Sequence, residues 1–197
     1  MTAKGTAFEL VVTPEELAEG RRYVEETTAA VRAAVEGLSE AQLRFQPAVD
    51  RWSIAQNLEH MAVVQELVLG PIREQLAAAP EVQGGSDPRV VDALVRQLLP
   101  ERTRRFPAPQ RAVPSGNCGR EEALDRLERN GARLIEWLET STDLRRHKIE
   151  SRPLTALTGG AHTEMDGYQW ILGAAAHTER HTRQIQELKA DPAFATA

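Results

Sequence analysis

Regular helical periodicity most constrains the fold of this chain, and it is clearest between Thr13 and Gly37. A capping signal is formed by Thr13, Pro14 and Glu16: threonine caps, proline suits the first helical position, and glutamate completes a capping box. Apolar residues then recur at spacings of three, four and seven, at Leu17, Val24, Val31, Val35 and Leu38. This spacing predicts a helix with one buried face from about Pro14 to Glu36, ended by Gly37.

Three further long helices are predicted by the same reasoning. Ser53 and Gln56 form a capping box at the start of a segment with Ile54, Leu58, Met61, Val64, Leu67 and Val68 on one face. Gly70 and Pro71 predict a kink in this helix, with helical character resuming afterwards. The other two helices are expected at about 120–140 and 167–189. Strand-like stretches are too short and too few to predict a sheet.

Four long helices predict an all-α four-helix bundle. The 197 residues suit a single domain, with a core from about 13 to 190. Residues 80–116 are rich in proline and form an irregular excursion between the second and third main helices, in which Asp87 and Pro88 can start a short helix. Neither half alone supplies a closed core, so no domain boundary is predicted there.

Charge and composition exclude several classes of function. The net charge is −5, which argues against nucleic acid or an anionic membrane as a partner. The cluster of Arg102, Arg104, Arg105 and Arg111 is therefore interpreted as a solvated face. No apolar run has transmembrane length and no signal-peptide pattern is seen. The single cysteine, Cys118, excludes an internal disulfide, so we expect a cytoplasmic protein.

Two histidines, His177 and His181, lie four residues apart in the last predicted helix. Their side chains are about 40° apart around the helix and can converge on one metal ion. The zincin signature is excluded, because Thr178 follows the first histidine and Glu179 points away from the shared face. A metal site therefore needs a third ligand from elsewhere. His60, beside the apolar face of the second main helix, can supply it, leaving an open position of the catalytic type.

These residues carry a family resemblance. The elements are Leu38-Ser39-x-x-Gln42, Pro47, the run from Arg51 to His60 with Trp52 and Ser53, and His177-x-x-x-His181 followed by Gln184 and Ile185. Together they resemble the DinB superfamily, which includes YfiT-like metal-dependent hydrolases and bacillithiol and mycothiol S-transferases. The resemblance implies an up-down-down-up four-helix bundle, often a homodimer. It also implies one divalent ion, nickel or zinc, on His60, His177 and His181.

Residues near the histidines are interpreted individually. Gln56 and Asn57 lie one turn before His60, where they either face the pocket and orient a metal-bound water or serve as capping and surface residues. Glu59 is predicted to be a solvated helix residue, not a base. Arg180 and Arg183 are expected to form salt bridges.

Two classes of function remain open on the sequence. One is a metal-dependent enzyme that activates water for hydrolysis, or binds a thiol as thiolate for transfer to an unknown small molecule. The sequence shows no convincing general base, which favours a low-molecular-weight thiol as substrate. The other is a non-catalytic, metal-binding homodimer in a stress response, in which the ion serves fold stability or sensing.

Overall fold

The protein is built mainly from helices, and the computed structural model describes residues 10–84, 86–104 and 106–196. The helices are α1 (Pro14–Val35), α2 (Glu40–Arg44), α3 (Ile54–Leu67), α4 (Arg73–Ala78), α5 (Pro88–Leu98), α6 (Arg120–Thr140), α7 (Arg152–Leu157) and α8 (Gly167–Lys189). Short 3₁₀ turns occur at Gln110–Ala112 and Pro192–Thr196. The long helices α1, α3, α6 and α8 form the bundle, which confirms the predicted fold class.

The helix starts follow the capping residues of the sequence. In α1 the Thr13 side chain accepts a hydrogen bond from the Glu16 amide, and the Glu16 carboxylate accepts one from the Thr13 amide. Ser53 and Gln56 make the same reciprocal pair at the start of α3. These bonds satisfy amides that the first helical turn leaves without partners, so the helix starts are encoded locally.

Helices α1 and α8 run parallel to each other. Near their starts, the Tyr168 hydroxyl donates to the Glu16 carbonyl at 2.8 Å. Near their ends, the Lys189 ammonium donates to the Ala34 carbonyl, also at 2.8 Å. The first and last helices of the bundle therefore point the same way, as the up-down-down-up pattern requires.

Helix α6 runs antiparallel to α1. Arg21, early in α1, pairs with Glu139 at the end of α6, at 2.6 Å. Arg32, late in α1, pairs with Glu128 in the first half of α6. These pairs are about half exposed, so they mark the direction of the helices more than they stabilise the fold.

The apolar side chains form two buried clusters along the bundle. The first is represented by Val24, Leu134, Leu138, Tyr168 and Ile171. The second is represented by Leu43, Leu58, Met61, Leu127 and Ile185. On α8 the first cluster ends at Ala176 and the second begins at Ile185. The polar residues of α8 between them are thus held between two close-packed regions.

A π-helical turn, Val68–Ile72, joins α3 to α4. Pro71 lies inside it, and the chain continues helically through Ala78. Pro71 has no N–H, so a regular α-helical ladder cannot pass through it. The prediction that the helix is interrupted at Gly70 and Pro71 and then resumes is confirmed.

The prediction that no sheet forms is wrong in one place. Strands β1 (Lys148–Glu150) and β2 (Glu164–Asp166) pair antiparallel, with Ile149 opposite Met165. Each strand has three residues, which is too short to show an alternating pattern in the sequence. Among the described helices, none is both long and apolar enough to cross a membrane.

Candidate metal centre

The structure brings His60, His177 and His181 together between α3 and α8. One ring nitrogen from each lies within 4.8 Å of the others. The Nε2 atoms of His60 and His177 are 3.2 Å apart. His60 and His181 are buried, and His177 is partly exposed. A tetrahedral ion with 2.0–2.1 Å bonds to imidazole separates its ligand nitrogens by roughly 3.3 Å. The observed spacing is thus close to what a metal site requires.

Hydrogen bonds fix which nitrogen faces the centre in two of the three rings. His60 Nδ1 lies 2.6 Å from the Ala112 carbonyl, which can only accept, so Nδ1 carries the proton. His181 Nδ1 lies 2.8 Å from Asn57 Oδ1. The Asn57 amide nitrogen donates to the Ser53 carbonyl, which leaves its oxygen facing the ring. Nε2 of His60 and His181 therefore keeps a free lone pair, as metal ligands require.

The environment keeps these imidazoles neutral. Burial lowers the pKa of His60 below its usual range. Burial, followed by the proximity of His60 and of the Arg180 cation, lowers the pKa of His177 well below that range. Burial and the two neighbouring imidazoles do the same for His181. His177 Nδ1 is buried and has no hydrogen-bond partner among the described residues. Three neutral, partly unsatisfied rings form a donor set that suits a divalent ion.

Trp52 closes one side of the histidine cluster. Its ring centroid lies 4.6 Å from that of His60 and 6.1 Å from that of His181. An indole in this position excludes water and restricts the rotation of both imidazoles. Trp52 therefore packs against the site itself.

Asn57 and Gln56 have different positions, although they are adjacent in sequence. Asn57 is fully buried and orients His181. Gln56 Oε1 instead accepts from the Ser53 amide and from the Gln46 side chain. The sequence allows Gln56 to face the pocket, but its side chain is held by the capping box and does not contact the histidines. Asn57 is one helical position further on, which turns its side chain toward α8.

The prediction that Glu59 is solvated is wrong. Glu59 is 8% exposed and accepts hydrogen bonds from the Ser115 amide and hydroxyl and from the Gly116 amide, at 2.7–2.9 Å. Burial raises the pKa of this carboxyl, but the bonds from Ser115 and Gly116 outweigh it and lower the pKa. Glu59 thus holds the loop that precedes α6.

The segment between α5 and α6 passes along the histidine cluster, and we call residues 101–104 and 106–116 the strap. Arg102 makes two bonds to Glu187 of α8 and one to Gln184. The Ala112 carbonyl holds His60, and Ser115 holds Glu59. The part of the arginine cluster that contains Arg102 is therefore docked on α8 and is not a solvated face. Arg105 lies outside the described residues.

The two arginines of α8 differ. Arg183 pairs with Glu101 and with Glu179, which confirms its predicted salt bridge. Arg180 forms no ion pair with a described residue; it donates to the Arg104 carbonyl in the strap. The prediction that Arg180 forms a salt bridge is therefore wrong for the described residues. Glu179 also accepts from Tyr23, which confirms that it points away from the histidines.

Comparison with known proteins agrees with this fold. The DinB superfamily model matches residues 23–185, more than half of the chain, so the chain belongs to the DinB superfamily. No match was found among curated proteins. YfiT from Bacillus subtilis is a structural neighbour with a TM-score of 0.58 and 16% identity, covering 90% of this chain and 88% of that chain. That protein is described as a probable metal-dependent hydrolase with an unusual four-helix bundle topology; at this identity the likeness shows a shared fold.

Proposed function

We propose that the chain binds one divalent metal ion through Nε2 of His60, His177 and His181 and acts as a metal-dependent thiol transferase on a small molecule. The observation that carries this proposal is that three neutral imidazoles converge on one point. Among the described residues, no carboxylate belongs to this group of potential ligands. Three protein ligands leave a position for substrate.

The residues around the cluster prepare it for this role. Asn57 and the Ala112 carbonyl hold the protons of His181 and His60 at Nδ1, so that both Nε2 lone pairs stay directed inward. Trp52 shields these two rings from water on one side. When bound, a divalent ion would lower the pKa of a coordinated thiol and present it as a thiolate to an electrophile.

Thiol transfer is favoured over hydrolysis because it needs less acid–base catalysis by side chains beside the ion. Glu59, the acidic residue adjacent to His60, is already engaged by Ser115 and Gly116. Glu179 is engaged by Tyr23 and Arg183. Hydrolysis is the alternative function, since the structural neighbour YfiT is described as a probable metal-dependent hydrolase.

The first test is metal content measured by mass spectrometry on protein purified without a histidine tag. We expect about one divalent ion per chain in the wild type and a loss of that ion in His60→Ala and His181→Ala. His147→Ala is the matched control, because His147 bonds to the Ala79 carbonyl and is no member of the cluster. Wild-type protein that stays metal-free after reconstitution would overturn the proposal.

A second test separates the candidate functions. Cobalt-substituted protein is titrated with a low-molecular-weight thiol, and a new sulfur-to-cobalt absorption band is expected if thiolate occupies the open position. A spectrum that no thiol perturbs would instead support hydrolysis or a structural ion. A large loss of Tm on chelation, without any detectable activity, would favour the non-catalytic metal-binding role. The homodimer, the choice between zinc and nickel, and a cytoplasmic location stay predictions from the sequence.

A further inference from the structure

Arg180 is a buried cation beside the histidine cluster. It is three residues after His177 on α8, so the two side chains lie on neighbouring parts of one helix face. Arg180 is 8% exposed. One of its terminal nitrogens, Nη2, donates to the Arg104 carbonyl, and its guanidinium lies 5.6 Å from the centre of the Phe106 ring. The other, Nη1, is buried and has no hydrogen-bond partner in the part of the chain that the structure describes.

No carboxylate of the described residues lies within ion-pair distance of Arg180, and Glu187 and Glu101 attract it only from farther away. Arg102, which lies close enough to repel it, is itself paired with Glu187. Arg183, one turn away from Glu179, has two carboxylate partners although it is about half exposed. A buried charge ordinarily has a counter-charge, because leaving water without one is costly. Arg180 is a buried charge of α8 without a close counter-charge among the described residues, and its Nη1 is a hydrogen-bond donor that a ligand can use.

The strap places this donor near both solvent and the metal centre. The strap contacts Arg180 through Arg104 and Phe106, and it then reaches His60 through Ala112. Phe106 is 39% exposed, so one side-chain layer separates the guanidinium from water. The same loop therefore spans from the unpaired cation to the proposed ligand set.

We propose that Arg180 binds the carboxylate of an anionic thiol whose sulfur occupies the open position beside His60, His177 and His181. The inference rests on the proposed function and deepens it by naming the substrate class. Nη1 donates to one carboxylate oxygen, and the positive charge compensates the negative charge of the ligand. Arg180 is thus a specificity-determining residue, selecting acidic thiols over neutral ones of the same shape.

The experiment compares two thiols that differ only in charge, 3-mercaptopropionate and 3-mercaptopropionamide. Dissociation constants are read from the sulfur-to-cobalt band of the cobalt-loaded protein. We expect the wild type to bind the acid about tenfold more tightly than the amide, as a charge-assisted hydrogen bond implies. Equal affinities would overturn the inference.

Two variants identify the residue responsible. Arg180→Gln keeps an amide that can donate to the Arg104 carbonyl but removes the charge, so the preference for the acid should disappear while the metal content stays unchanged. Arg183→Gln is the matched control and should keep the preference. Retention of the preference in Arg180→Gln would overturn the inference.

A measurement without thiols tests anion binding by Arg180 separately from the proposed thiol transfer. Propionate and propionamide are added separately, and Tm is recorded for the wild type and for Arg180→Gln. Only propionate acting on the wild type should raise Tm. If neither thiol perturbs cobalt but propionate still acts through Arg180, thiol transfer fails and the anion site stands. If propionate has no effect and thiols show no charge preference, the anion site fails.

Discussion

Helix α8 contributes to two buried polar regions that are built in opposite ways. At its start, Asp166 belongs to a group around Arg145, whose two terminal nitrogens donate to Asp92, Asp166 and Glu16 at 2.6–3.0 Å. The guanidinium also stacks 4.3 Å from the centre of the Tyr168 ring. We call Arg145 and its three carboxylates the charge hub.

The histidine cluster, about 16 Å further along α8, lacks such compensation. Among the described residues, His177 Nδ1 and Arg180 Nη1 are buried without partners, and so is Nε of Arg145, but every carboxylate of the charge hub is bound by arginine. A network in which one arginine binds three carboxylates connects α1, α5 and α8 and serves the fold. The histidine cluster has a buried cation without a close carboxylate and imidazole lone pairs that face one point, as the proposed ligand site requires. The two polar regions of one helix therefore differ in whether carboxylates surround the buried arginine.

The largest expected effect concerns the charge hub. Arg145→Met should lower the free energy of unfolding by about 3–5 kcal/mol, because the buried Asp92 and Asp166 and the partly exposed Glu16 lose the cation that they share. Urea denaturation measures the change. The neighbouring Arg146→Met is the control: Arg146 is half exposed and lies 3.8 Å from Glu81, so its loss should cost under about 0.5 kcal/mol. Similar values for the two variants would refute the structural role of the charge hub.

The next effect concerns the orientation of a histidine. Asn57→Ala removes the acceptor that holds His181 Nδ1, so metal affinity should fall roughly 10–100-fold. Competition with a chelator of known affinity measures this. The control is Asn117→Ala, at an exposed residue directly after the strap, and it should leave the metal affinity unchanged. An unaltered metal affinity in Asn57→Ala would show that His181 is held by packing alone.

The pH dependence of the metal-free protein tests the burial of the imidazoles. His181 has a folded pKa well below its usual value. Below about pH 6.5 the unfolded chain therefore binds more protons at His181 than the folded chain does. This difference in proton binding is absent above about pH 6.5 and destabilises the fold as the pH falls below it. Relative to His181→Asn, the wild type should lose up to about 1.4 kcal/mol per pH unit below pH 6.5. The control Thr182→Asn should follow the wild type; a constant difference between wild type and His181→Asn would contradict the prediction.

The smallest expected effect concerns the strap. Glu59→Gln keeps an acceptor but loses the charge, so it should cost about 1 kcal/mol and speed hydrogen exchange at the Ser115 and Gly116 amides. Because the folded pKa of Glu59 is lowered, its stabilisation is present above its unfolded pKa and is lost as pH falls through the folded pKa. Glu128→Gln, in an exposed pair, should change neither measurement. Unaltered exchange in Glu59→Gln would mean that the strap is held elsewhere.

The sequence by itself determined the features that depend on neighbours within about four residues. The starts of α1 and α3 were predicted from Thr13 with Glu16 and from Ser53 with Gln56, because the partners of a capping box lie only three residues apart in the chain. The spacing of His177 and His181 predicted that their rings share a face of α8. These are local consequences of helical geometry, so they required no knowledge of packing.

Only the tertiary structure decided the features that join distant segments. The Ala112 carbonyl that holds His60 has no side-chain signature, and Glu59 is buried only because the strap returns to α3. Asn57 faces His181 and Gln56 does not, a distinction that depends on how α3 meets α8. The partners of Arg145 come from helices far apart in sequence. Such contacts depend on the relative placement of packed elements, which short-range patterns do not encode.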